Sequence, residues 1–431
     1  MTPPATAAPS PSQLSRATRA TYVVFASCGF SLATFVSRIP QLQDNLKLTD
    51  SLLGIVLLTA AGGSLVSRLF SRAVVTRLGL RGTVTVASFI SAAGLAGIGL
   101  SDVGGVSAMV AGLLILGLAT SVWDVAMNVQ AAAVERALGR SAMSRFHASF
   151  SVGTVTGAVL GVGMVAGGVP VVTHMILAAV VTALSATLAA RHYLSDQQAG
   201  SAEVLTAPES ADDDRSGDAA QSGTGPRRAD RPSAWREPRT LLIGLFVLAF
   251  AFGEGSANDW TSIAVIDGYN VPKVVGTIAY TIFLIAVTSA RWFGSGLLDK
   301  YGRVMVLRAS GVTVIVGLLL FIFGPDVAVA LVGVVLWGAG VAFGYPVGIS
   351  AGADEPDHAV ARVTVISTVG KFATFAGPPL IGVLGDHVTI LRALLLVAAL
   401  QAVAVLIASV TRPLPAAGPV PDEVPVAQGA S

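Results

Sequence analysis

The sequence predicts an all-α membrane protein, with twelve transmembrane helices arranged as two matching six-helix bundles. Three observations carry that expectation. The chain of 431 residues is 53% hydrophobic and only 12% charged, about half the charged share of roughly 25% found in soluble domains. A mean hydropathy of +0.73 leaves too few polar side chains to coat a water-soluble globule of this length. Apolar stretches of about 20 residues, enough to cross a hydrocarbon core of about 30 Å, recur twelve times. The same composition excludes a cytosolic enzyme, a disordered chain and a disulfide scaffold, since Cys28 is the single cysteine. A net charge of +2 offers no field for nucleic acid.

The elements follow in order. Residues 1–19, rich in Pro and Ser, read as a disordered cytoplasmic start with no signal-peptide cleavage site. Six spans then fill a first bundle at 20–192, near 20–41, 51–73, 83–101, 107–131, 146–166 and 171–191. Residues 193–239 carry the acidic run Asp212–Asp214 and the basic pair Arg227–Arg228 among Ser, Gly and Ala, and read as a disordered cytoplasmic linker. Six more spans fill a second bundle at 240–412, near 240–264, 274–295, 304–324, 327–350, 362–384 and 390–411, and 413–431 reads as a disordered tail. Breaks fall at turn-like or charged segments such as Lys47–Asp50, Asp102–Gly105, Gly324–Asp326 and Asp386–His387. Lys and Arg crowd the even-numbered connections (Arg77, Arg81, Arg136, Arg140, Arg145, Lys300, Arg303, Arg308, Arg362), while the odd ones hold little beyond Lys47, Lys273 and Arg392. That asymmetry puts both termini in the cytoplasm.

An internal repeat joins the halves. Shifted by 223 positions, Ser67-Arg68-Leu69-Phe70 falls on Ala290-Arg291-Trp292-Phe293, and Thr76-Arg77-Leu78-Gly79 falls on Asp299-Lys300-Tyr301-Gly302. Both sites end an even-numbered span, so the two halves share one topology, as in secondary transporters built from parallel repeats with the solute site between them.

At Asp299-Lys300-Tyr301-Gly302-Arg303 the chain resembles the major facilitator superfamily, whose helix two–three connection bears a Gly-x-x-x-Asp-Arg/Lys-x-Gly-Arg/Lys pattern. Ser295 stands at the first Gly here, and Thr76 replaces the Asp of the first-half copy. The resemblance implies a cytoplasmic latch of Arg291, Asp299, Lys300, Gly302 and Arg303. Asp124-Val-Ala-Met-Asn128 is similar to a motif of the bacterial fucose-permease-like sugar/proton symporters. Glu254-Gly-Ser-Ala-Asn-Asp-Trp260 is similar to that of uncharacterised inner-membrane relatives of that group. Those symporters also use a helix-one aspartate, where Val36 aligns here with Arg38 nearby.

A charge at mid-bilayer costs at least about 2.5–3.5 kcal/mol, so it needs a partner, a wet cavity or a proton. The helical rise puts Arg38 about 27 Å, Asp259 about 28 Å and Glu254 about 21 Å from the cytoplasmic start of their spans. Asp124 lies about 25 Å down from the outside, and Lys371 about 12 Å up from the inside. These depths predict an outer gate of Arg38 with Asp259 and an inner gate of Asp124 with Lys371. The competing reading is a static ion pair that only fixes helix positions. Glu254 is left without a cation one helical turn away; with Asp124 it is the expected proton-coupling carboxyl, since an unpaired carboxyl in a low-dielectric cavity takes up a proton more readily. Asn128, Asn258, Trp123, Trp337 and Tyr345 are the expected cavity lining, although aromatics on such helices more often pack. His147 and His174 read as interfacial, and Trp260 beside Asp259 as an interfacial anchor. Gly153, Gly157 and Gly161 in span five, with Gly370, Gly377 and the Pro378–Pro379 pair in span eleven, suit interfaces that slide.

The whole predicts a secondary active transporter of a small polar, sugar-like solute, working by alternating access with protons in a bacterial inner membrane, expected as a monomer. No metal-ligand spacing, Ser-His-Asp set or phosphate loop occurs, so neither a cofactor nor an enzymatic reaction is expected. A proton-driven exporter of drugs or metabolites and a non-transporting nutrient sensor are the alternatives. Ala158, where the drug antiporters carry a Pro in helix five, stands against the first.

Overall fold

The computed structural model describes residues 9–140, 142–199, 234–355 and 358–413. These are helical throughout, with no strand among them. The first half holds α1 (Pro11–Val36), α2 (Ile39–Leu46), α3 (Asp50–Gly99), α4 (Ser101–Leu138), α5 (Met143–Ala166), α6 (Val171–Ala190) and the single turn α7 (Asp196–Ala199). The second holds α8 (Pro238–Tyr269), α9 (Lys273–Phe293), α10 (Ser295–Tyr301), α11 (Arg303–Phe323), α12 (Val327–Val341), α13 (Gly344–Gly352), α14 (Ala359–Val388), α15 (Ile390–Ala393) and α16 (Leu395–Ile407). Among the described residues, ten helical stretches are long and apolar enough to cross a membrane. The 50-residue α3 is two helices meeting at Gly79. Counting it twice gives eleven; the span expected at 362–384 falls in the 30-residue α14, which is not among the ten.

α1 starts nine residues before the expected first span. Ser10 and Gln13 close a capping box and Pro11 takes the first helical position, so residues 11–19 are helix rather than disordered start. Of the linker expected at 193–239, residues 200–233, with the acidic run Asp212–Asp214 and the pair Arg227–Arg228, lie outside the described residues, as do 1–8 and 414–431. Its described ends are ordered instead, with helical turns at Asp196–Ala199 and Ala234–Arg236 and Tyr193, Leu194 and Ala199 buried.

The repeat is written into the backbone. Lys47 and Asn270 end their helices in the left-handed conformation at φ 52° and 49°, and Gly79 and Gly302 turn at φ 67° and 75°. Members of each pair stand 223 positions apart. Gly94 approaches the Gly112 carbonyl as Gly317 approaches that of Gly333, the partner now offset by 221, because the connection after span three is two residues longer in the first half.

Helix direction separates a face carrying the two described ends of the chain, here the terminal face, from a far face. Among the described residues, every hydrogen bond and ion pair joining the halves lies toward the far face. The Asp50 and Ser51 amides and the Ser51 hydroxyl donate to Asp386 at the end of α14. Lys273 pairs with Asp44, and the Thr277 hydroxyl donates to the Ser37 carbonyl at 3.4 Å. Bare glycines allow this approach: Gly54 lies against the Pro378–Pro379 backbone and Gly382 against that of Asp50. One apolar core runs through both halves here, from Phe35 and Leu57 to Phe252 and Trp260. A second core, with Phe25, Leu80 and Trp123, belongs to the first half alone. The halves are therefore sealed at the far face and separated at the terminal face.

On the terminal face the second half is tied by ion pairs. Arg239 and Arg303 both reach Asp354, at 3.1 and 2.5 Å, and Arg362 bridges Glu237 at 2.7 Å and Glu355 at 2.9 Å. Partial burial pulls the Glu237 pKa up, but hydrogen bonds from Arg362 and Thr240 outweigh it and hold this carboxyl below the usual range.

Candidate functional site

Between the halves lies a cavity of about 540 Å³, closed above by the far-face seal. Phe35 and Leu57 of the first half line it, facing Glu254, Asn258 and Asp259 of α8, Arg291 of α9, Tyr345 of α13 and Pro378 of α14. The helical period explains the α8 set, since residues four apart share a face and the fifth lies beside it. The Arg291 guanidinium donates to the Glu254 carboxylate at 2.7 Å and to the Ala342 carbonyl at 3.1 Å. Asn258 lines the same space and donates to the Glu254 backbone carbonyl at 2.9 Å. Among the described residues Asp259 has no hydrogen bond or ion pair, although it lines the same space.

A second charged group lies nearer the terminal opening. Asp124 is exposed and accepts from Asn128 at 3.0 Å, with Arg68, His147 and Lys371 within electrostatic reach. Arg68 is the repeat counterpart of Arg291. Asp124 and Lys371 face the opening from opposite halves without forming an ion pair in this conformation.

Several expectations change. Glu254 is not an unpaired carboxyl: the α9 arginine that sequence reasoning placed in a latch reaches into the cavity and neutralises it. Arg38 does not meet Asp259. Its guanidinium, buried with His174, donates to the His174 ring at 2.9 Å and to the Val169 carbonyl at 3.0 Å, so His174 is a buried acceptor rather than an interfacial residue. Asp299 is exposed and unbonded among the described residues; Arg303 turns instead to Asp354, Lys300 lies over the Tyr301 ring, and Gly302 alone keeps its expected place as the turn. Trp123 and Trp337 are 1% and 0% exposed and do not line the cavity. Trp337 packs on Phe283 and Phe321, and Trp260 is buried too, so it anchors no interface.

A profile of the Major Facilitator Superfamily matches residues 21–378, most of the chain. The chain belongs to that superfamily. An uncharacterized transporter of Sinorhizobium fredii is 27% identical over 393 residues, covering 89% of this chain and 95% of its own. Among solved structures, the nucleoside transporter NupG superposes with a TM-score of 0.68 at 15% identity, over 93% of this chain and 98% of its own. The E. coli fucose:proton symporter FucP gives 0.53 at 13%, over 92% and 99%. At these identities the two structures speak for the fold. The superfamily and its transporter-named relatives make this chain a multi-pass membrane transporter.

Proposed function

We propose that this transporter moves a small polar organic solute by alternating access, coupled to protons, across a bacterial inner membrane with its terminal face in the cytoplasm. The observation that carries this reading is the cavity between the halves, sealed on one side and lined by an ion pair, an amide and a carboxyl with no partner. Glu254 and Arg291 offer a donor and an acceptor side by side, which suits a solute that presents both. Asp259 takes over the proton-carrying role first given to Glu254. With Arg291 committed to Glu254, an ionised Asp259 carboxylate in this cavity lacks a cation of its own and is costly, and binding a proton removes the charge. Asp124 and Lys371 serve as the pair that closes the cytoplasmic side when the far face opens.

The test has two steps. A thermal-shift screen of solubilised protein over sugars, nucleosides and amino polyols identifies a stabilising solute. That solute is then added to proteoliposomes of the full chain loaded with a pH-sensitive dye. Wild type is expected to move protons with the solute. Asp259→Asn is expected to keep the thermal shift and lose at least about 90% of the proton movement, as removal of an obligatory carrier does. Proton movement at the wild-type rate in Asp259→Asn overturns the assignment.

A further inference from the structure

On the terminal face of the first half is a polar concavity of about 220 Å³, remote from the central cavity. Arg16 and Gln13 come to it from the first turns of α1, Arg81 from just beyond the Gly79 break, and Arg191, His192 and Gln198 from the end of α6 and the turn after it. Among the described residues no acidic side chain lines it. Arg81 donates to the Tyr193 carbonyl through Nε at 3.1 Å and also through Nη2, and Arg16 donates to the Ser12 carbonyl through Nε alone. The Arg191 and His192 side chains have no hydrogen bond or ion pair among the described residues, and both are exposed. Asp196, on the adjoining turn, has its carboxylate on the Leu80 amide at 2.8 Å.

The contrast with the second half is the point. There, on the same face, Arg239, Arg303 and Arg362 are each matched by Asp354, Glu237 or Glu355. In the first half three guanidinium groups and an imidazole converge on one hollow, with no carboxylate among the described residues that line it. Converging arginine forks with spare N–H groups suit a tetrahedral acceptor with several oxygens better than a single carboxylate. Arg16 stands four residues, about 6 Å, outside the first apolar stretch, within the polar layer that flanks a hydrocarbon core of about 30 Å.

We propose that this hollow binds a phosphate group, carried by an anionic phospholipid headgroup or free in solution. Basic pockets between transmembrane helices at this level are built to take such headgroups, and 220 Å³ has room for a phosphate with its first few attached atoms.

The full chain is placed in nanodiscs of phosphatidylcholine alone or with one third phosphatidylglycerol, and separately in detergent with millimolar inorganic phosphate. Thermal midpoint and retained lipid by native mass spectrometry are the readouts. Phosphatidylglycerol is expected to raise the midpoint of wild type and of an Arg140→Gln/Arg308→Gln control, whose arginines lie outside the hollow. In Arg16→Gln/Arg191→Gln the shift is expected to vanish, with lipid retention falling about fivefold per arginine removed. A shift with inorganic phosphate that the double variant loses assigns the free anion as ligand; a shift with phosphatidylglycerol only assigns the lipid. Single Arg191→Gln carries the same test if the double variant does not fold. The proposal fails if the control loses as much as the hollow variant, if the hollow variant responds like wild type, or if wild type responds to neither source.

Discussion

Arg291 shows how a long side chain escapes a depth calculation. Its backbone lies in the last turn of α9, where a cation reads as a topology marker, yet its guanidinium reaches the carboxylate of Glu254 on α8. Arginine stems routinely place their charge several ångströms from the Cα, which one-dimensional bookkeeping cannot follow. The signal that was present is the repeat, which carries an arginine at both 68 and 291. Asn258 and Tyr345 line the cavity as expected, while Glu254 and Asp259 stood out as costly polar groups on a membrane helix but were given the wrong partners. The tryptophans were misplaced, since an aromatic on such a helix fits a core as well as a cavity. The Arg291–Glu254 pair is partly open to the cavity, at 38% and 27% exposure, and a pair that solvated contributes less than about 1 kcal/mol to folding. Glu254→Gln should therefore leave the thermal midpoint within a few degrees of wild type. The same change is expected to weaken solute binding at least about tenfold, as loss of a directional charge contact does. A titration by thermal shift checks both, and a folding defect with unchanged affinity would make the pair a structural tie.

At the scale of elements, helix existence was written in hydropathy, while helix ends depended on local chemistry that hydropathy ignores. The Ser10–Gln13 capping box and Pro11 were readable as a start signal before any apolar residue. α14 was expected as a span from the apolar stretch at 362–384, yet it stands outside the ten helices long and apolar enough to cross a membrane. The Pro378–Pro379 pair explains its importance: it lies against Gly54 of α3, where any side chain would meet backbone. Under the proposed alternating access those contacts are lost when the far face opens, so Gly54→Val should tax the closed state and spare the open one. Overpacking of this kind costs about 1–3 kcal/mol, a population shift of roughly 5- to 150-fold. With Cys28 replaced by Ser, a cysteine at Ser51 is expected to react faster with an impermeant maleimide in Gly54→Val than in its parent. Gly54→Ala gives a smaller change in the same direction. Equal reactivity in all three would identify the α3–α14 seam as permanent.

For the whole molecule, the repeat has a mechanical consequence. Far-face closure is itself duplicated, with the start of α3 on the end of α14 and the start of α9 on the end of α5. The apolar core shared by the halves has to part when they separate, while the packing of helix on helix within each half, as of Gly94 on Gly112 and Gly317 on Gly333, need not. On the proposed reading the least costly motion is therefore one half rocking against the other about the central cavity. Under the proposed alternating access the two seals exclude each other. In the Cys28→Ser background, cysteines at Ser51 and Asp386 should crosslink from the conformation described, because their side chains already touch. The bridge is expected to stop solute exchange in proteoliposomes and to release it on reduction. Cysteines at Asp124 and Lys371, facing each other across the opening, should crosslink only in molecules whose far face has parted. A chain carrying both pairs, oxidised and then digested within residues 200–233, is expected to hold one bridge or the other. Molecules holding both at once would mean that the halves do not rock, and that solute passes through a static pore or by movement within a single bundle.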